Sequence, residues 1–169
     1  MIENTKKTTY IGRNVGGFLL IEIIIAVALI SIVFITLLGV GVITLNVSNS
    51  IQKETQADSL VKEEFEALRS FRDGTTWATN GLGTVNTGNS NPYHLVNDSD
   101  EWVLVAGAET KGIFTRQVIF DKVSRDSAGN VEYAYNSSND DADTRKITVT
   151  VSWRDRSIQT VSYFTNWKQ

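Results

Sequence analysis

The sequence predicts an α+β fold, in which one long N-terminal helix packs on a C-terminal antiparallel sheet of four to five strands. Three observations lead there. From Phe18 to Leu45 the chain is a nearly unbroken run of Ile, Val, Leu and Ala carrying one carboxylate, Glu22. From Ser50 to Arg72 it turns rich in Glu, Lys and Gln, while its apolar residues recur at helical spacing. From Glu101 onward apolar and polar residues alternate with the period of strands.

Composition sets the limits. A chain of 169 residues suits one modest domain with an appendage. Apolar residues make up 41 % of it, concentrated between Phe18 and Leu45. The formal net charge is -3. Losing residues 1–17, with Lys6, Lys7 and Arg13 against Glu3, leaves 13 Lys and Arg against 18 Asp and Glu, a net charge of -5. An acidic product of that kind is a poor ligand for nucleic acid. The absence of cysteine excludes disulfides, thiol nucleophiles and thiolate metal sites. His94 is the single histidine, which excludes a multi-histidine metal site.

Residues 1–17 form a short basic leader. Positive charge before an apolar run stays cytoplasmic, which directs the following chain outward. Residues 18–45 read as a transmembrane helix, since at about 1.5 Å per residue they span about 40 Å. An ordinary secretory signal has an apolar core of roughly 7–15 residues followed by small residues; here the core is longer and the glycines precede it. Inside lipid an acid such as Glu22 costs several kcal/mol unless paired, so it marks a functional site, with an ammonium group as its natural partner. The competing reading is an acid resting at headgroup depth. Gly39 and Gly41 each weaken a helix by about 1 kcal/mol. They permit either local melting or close helix–helix approach.

Residues 46–73 read as the amphipathic continuation of the helix, with Ala57, Leu60, Val61, Phe65, Leu68 and Phe71 forming its apolar stripe. Glu63, Glu64 and Glu66 are assigned to its solvated side, and Asp73-Gly74 ends it. Residues 74–100 read as a loop, rich in Gly, Asn and Thr, whose Trp77, Tyr93 and His94 cover the sheet edge in preference to forming a recognition patch. Residues 101–169 supply the sheet. Strands are expected at Trp102–Val105, Gly112–Val123, Val131–Tyr135, Lys146–Trp153 and Ser157–Trp167, with turns at Ser127–Asn130 and Arg154–Arg156 and a bulge near Val161.

The stretch Gly16-Gly17-Phe18-Leu19-Leu20-Ile21-Glu22, between a basic leader and a long apolar run, resembles the class III signal of type IV pilins and type II secretion pseudopilins. The resemblance implies cleavage by a prepilin peptidase between Gly17 and Phe18, and N-methylation of Phe18. It further implies that Glu22, fifth in the mature chain, pairs with the terminal amine of a neighbouring subunit during assembly. The implied partners are that peptidase, other pilin or pseudopilin subunits and the inner-membrane assembly machinery. The implied location is the cytoplasmic membrane, with the leader inside and the head outside, and then a pilus or pseudopilus at the cell surface. Many major pilins carry a helix-breaking proline near the position of Gly39; here the only proline is Pro92. The stretch Arg145–Trp153 and the strand ending Tyr163-Phe164-Thr165-Asn166-Trp167 resemble the C-terminal hairpin of minor pilins and minor pseudopilins, which favours a minor subunit. The rival reading is a single-pass membrane protein that displays a small extracytoplasmic binding domain without polymerising.

Other candidate sites weigh less. Asp140, Asp141 and Asp143, with Asn136 and Asn139 nearby, are oxygen donors of the kind calcium takes, and some pseudopilins bind calcium near the end of their sheet. The run lacks the ligand spacing and terminal Glu of a calcium loop, so a solvated acidic turn is the preferred reading and no metal is assigned. Asp126 to Asn130 reads as a turn. No phosphate-binding glycine loop, nucleophile elbow or metal-ligand pair occurs, so neither catalysis nor a cofactor is expected.

Overall fold

The computed structural model describes residues 16–167, with side chains from Leu19 onward. Residues 1–15, with Lys6, Lys7 and Arg13, lie outside the described residues, as does the side chain of Phe18. Helix α1 runs Gly16–Gly74 and is followed by strands β1 Tyr93–Asp98, β2 Glu101–Ala106, β3 Glu109–Lys111, β4 Phe114–Ser124, β5 Asp140–Trp153 and β6 Arg156–Thr165. The chain divides into two compact units, residues 1–49 and 50–169. In the second, the later half of α1 packs on a six-stranded antiparallel sheet of order β2-β1-β4-β5-β6, with β3 beside β4.

The amphipathic stripe builds the core. Ala57, Val61, Phe65 and Leu68 are buried against Val118 and Phe120 of β4, Ile147, Val149 and Val151 of β5, and Phe164 of β6. Phe65 and Phe164 stand with ring centroids 6.4 Å apart. The inward side of β5 is the uninterrupted row Ile147, Val149, Val151 and Trp153 that its alternation predicts. Asp73-Gly74 ends α1 as expected, and the Thr75 hydroxyl donates to the Phe71 carbonyl at 2.7 Å in the last turn. There Trp167 Nε1 donates to Asp73 Oδ1 at 3.1 Å, and the Arg72 guanidinium lies 5.0 Å from the Phe164 ring centroid.

Four expectations need correction. The segment 74–100 is not loop throughout, because Tyr93–Asp98 forms β1 and pairs with β2 in a hairpin. Its two-residue turn is Ser99-Asp100, with φ of 54° and 70°, the left-handed pair that matches strand twist. Val131–Tyr135 is not a strand. After one bridge between Arg125 and Val131 and the bond from Glu132 N to the Ser124 carbonyl, Asn136 N donates back to Ser124 Oγ, so the segment folds away from the β4 edge instead of running along it. No bulge lies near Val161, since β5 and β6 stay in register from Thr144↔Thr165 to Trp153↔Arg156. The alternation slips because β6 carries Val161 and Tyr163 outward and Thr160 and Ser162 inward. The irregularity lies instead between β4 and β5, where Lys122↔Arg145 is followed by Val123↔Asp141. Fourth, Glu64 is fully buried rather than solvated. Glu63 and Glu66 remain on the exposed side.

Candidate functional site

Between Arg13 and Lys53 the only charged side chain is Glu22. The helix places it one turn beyond Gly17 and Phe18, whose backbone is helical. Every large apolar side chain from Leu19 to Val47 is at least half exposed, from 51 % at Val47 to 70 % at Ile35 and Leu38. Burying such side chains is worth about 1.5–3 kcal/mol each, so this surface demands a partner, lipid or protein. The helix is long and apolar enough to cross a membrane.

Its hydroxyls are already satisfied for an apolar setting. Ser31 donates to the Val27 carbonyl at 2.7 Å, Thr36 to Val33 at 2.8 Å and Thr44 to Val40 at 2.9 Å. Glu22 has no such outlet and makes no hydrogen bond or ion pair among the described residues. Gly39 and Gly41 leave α1 unbroken, and a methyl group at either would meet open space. Nothing in the described chain packs against these glycines.

In the second unit, charge is buried where helix meets sheet. Arg116, 2 % exposed, sits on the inward side of β4 between Phe114 and Val118. Its guanidinium lies 3.1 Å from Glu64, 3.0 Å from Glu63 and 2.5 Å from Glu109, and it donates to the Leu95 carbonyl at 3.2 Å. Glu64 Oε1 in turn accepts from Leu95 N at 2.9 Å, so β1 is tied to helix and sheet together. Burial pushes the Glu64 carboxyl above its ordinary range, against the pull of Arg116 and the Leu95 amide. A hydrogen bond from Lys111, at 2.8 Å, holds Glu63 below its ordinary range.

A second polar knot joins the segment after α1 to the bulge in β5. Trp77 Nε1 donates to the Ala142 carbonyl at 3.0 Å, and the Arg145 guanidinium lies 5.8 Å from the Trp77 ring centroid. Arg145 also donates to the Gly83 carbonyl at 2.9 Å. Trp77, Tyr93 and His94 therefore serve packing: Trp77 is buried, Tyr93 stacks edge-on against Phe120, and His94 Nδ1 donates to Gly107 O at 2.9 Å.

The acidic run is engaged within the chain. Asp141 accepts from Arg125 at 2.6 Å, Asp143 from Asn166 at 2.9 Å, and Asp140 from the Tyr135 hydroxyl at 2.9 Å. Burial opposes ionisation of Asp141, but hydrogen bonds from Thr144 and Arg125 prevail and hold its carboxyl below the ordinary range. Among the described residues no group of three or more His, Asp or Glu is placed to hold a metal ion.

Two signals in the sequence point to the buried pair. Glu64 falls on the stripe of Ala57, Val61 and Leu68, and Arg116 shares the parity of Phe114, Val118 and Phe120. Opposite charges at inward positions of two packed elements announce each other. No protein-family model, curated protein or solved structure matches this chain.

Proposed function

We propose that this chain is a type IV pilin-like structural subunit, of the minor pilin or pseudopilin kind. On this reading prepilin peptidase trims it between Gly17 and Phe18 and methylates Phe18, and the apolar helix then assembles it into a pilus or pseudopilus. The observation that carries the reading is Glu22, the lone charge on a helix whose large apolar side chains are all exposed. A charged side chain costs about 2.5–3.5 kcal/mol at the centre of a membrane helix and less toward its ends, so for Glu22, one turn into the apolar run, that figure is an upper bound. Pairing with the amine of a neighbouring Phe18 offsets that cost, and makes leaving lipid for a bundle of like helices favourable. The pairing also fixes the axial offset between subunits. Close helix approach at Gly39 and Gly41 suits the same packing. The precursor sits in the cytoplasmic membrane with its leader inside and its sheet outside.

The test is co-expression of the full chain with its major subunit, followed by shearing and sedimentation of filaments. Glu22→Ala and Glu22→Gln are expected to remain in the membrane yet to fall roughly tenfold in the sheared fraction, as loss of about 1.4 kcal/mol of pairing requires. Unchanged sedimentation of both variants would overturn the assembly role. Absence of the unaltered protein from filaments would favour a single-pass display protein.

A further inference from the structure

The sequence Val131-Glu132-Tyr133-Ala134-Tyr135 has the composition of a strand, yet the fold holds it off the sheet. Where a local preference is overruled by fixed contacts, a functional reason is expected. Glu132 N donates to the Ser124 carbonyl and Asn136 N to Ser124 Oγ, each at 2.9 Å, and the Tyr135 hydroxyl donates to Asp140 Oδ1. The preceding turn is pinned by Asp126, which accepts from Ala128 N at 2.9 Å and Asn130 N at 2.8 Å.

The pinned segment raises one wall of an open cavity of about 370 Å³, within the size range of small-ligand sites. Tyr133 and Tyr135 stand there with Tyr163 of β6, which belongs to a row crossing the outer sheet face as Asp121, Lys146 and Tyr163. Tyr133 is fully exposed, and Tyr135 and Tyr163 are nearly half exposed, so none of the three is spent on the core. Charge in the cavity balances, Asp121 and Glu132 against Lys122 and Lys146, with Lys146 Nζ 3.8 Å from Asp121. Glu132 Oε1 accepts from Asn139 Nδ2 at 3.3 Å, while its buried Oε2 has no hydrogen bond and is a spare acceptor in the cavity wall.

We infer that this cavity binds a neutral carbohydrate. Tyrosine rings offer flat, amphipathic faces to the C–H side of a pyranose, at low cost in side-chain entropy. Balanced charge gives no gain to an ionic ligand. Carboxylate acceptors beside ammonium donors suit hydroxyl groups, each of which donates and accepts at once. A proline-rich peptide also docks on aromatic walls, but it offers mainly carbonyl acceptors and leaves Asp121 and Glu132 without donors. The site is confined to residues 87–163 and stands whether or not the apolar helix assembles.

The test is binding of the full-length protein, in lipid nanodiscs, to an array of neutral, sialylated and sulfated oligosaccharides, with a polyproline decapeptide tested in parallel by NMR titration. Retention of a neutral subset is expected. Tyr133→Ala and Tyr163→Ala should each lower it roughly tenfold, and Tyr133→Phe should preserve most of it. Because Tyr133 touches no core residue, Tyr133→Ala is expected to keep the unaltered unfolding midpoint, which separates lost binding from lost fold. Retention of no neutral glycan, retention of anionic glycans alone, undiminished binding by Tyr133→Ala, or binding of the decapeptide in their place would each overturn the assignment.

Discussion

Replacing Arg116 by Met tests the buried charges at the junction of helix and sheet. Arg116 and Glu64 are 2 % and 0 % exposed and stand 3.1 Å apart. At an effective dielectric constant near 20, a pair at that distance attracts by about 5 kcal/mol. Removing one partner of a buried pair costs about 3–5 kcal/mol, because the other charge is left uncompensated. Small domains have about 5–15 kcal/mol in total, so Arg116→Met should lower the thermal midpoint by roughly 10–20 °C at pH 7. Adding Glu64→Gln should recover part of the loss, since the amide oxygen still accepts from Leu95 N while the stranded charge is gone. The pH dependence follows from the raised Glu64 carboxyl. A group whose folded pKa exceeds its unfolded value contributes stability below the unfolded value, and loses it as pH rises through the folded one. Without Arg116 the folded value climbs further, so the deficit of Arg116→Met should shrink as pH falls from 7 toward 4. Glu63 has the opposite sign: its lowered carboxyl contributes stability above the unfolded value, and that stability is lost in acid. The part contributed by Arg116 is already missing in the variant, which narrows the deficit in the same direction. Urea unfolding of the detergent-solubilised full chain, followed by tryptophan fluorescence, reports on the second unit, which holds all four tryptophans. A deficit below about 1 kcal/mol at pH 7, or one that does not change with pH, would refute the reasoning.

Two further outcomes are expected. A methyl group at Gly83 would stand 2.6 Å from Trp77 Cδ1 and from the Trp77 carbonyl oxygen, so Gly83→Ala must displace the ring that holds the β5 bulge; the cost should be about 1–3 kcal/mol in the urea midpoint, with a shifted tryptophan emission. Calcium at millimolar concentration should leave the melting temperature where a chelator leaves it, since Asp140, Asp141 and Asp143 already accept hydrogen bonds within the chain, and a calcium-dependent rise would contradict that reading.

The helix and the C-terminal hairpin were legible because their signals are long and uninterrupted. The apolar run and amphipathic stripe share one period, Asp73-Gly74 punctuates them, and Ile147 to Trp153 alternates without a break. Strand β1 was hidden because Tyr93–Asp98 is largely polar and buries only Leu95 fully. Its turn, Ser99-Asp100, uses left-handed residues other than the glycine that normally marks them. The alternation at Val131–Tyr135 misled because strand propensity yields to tertiary context, and the bond from Asn136 N to Ser124 Oγ folds the segment back from the β4 edge. Glu64 was misplaced by its charge. Its angular position on the stripe was the better guide, and the partner that makes its burial tolerable, Arg116, lies 52 positions along the chain. Gly17 and Glu22 are read through contacts between molecules, so the fold of a single chain does not bear on that reading.

The most direct test of the central claim is N-terminal mass spectrometry of the membrane-extracted protein, expressed with prepilin peptidase. A mature chain beginning with N-methylated Phe18 is the expected result. An intact Met1 leader, or a cut beyond Leu45 that removes the apolar helix, would contradict the pilin reading.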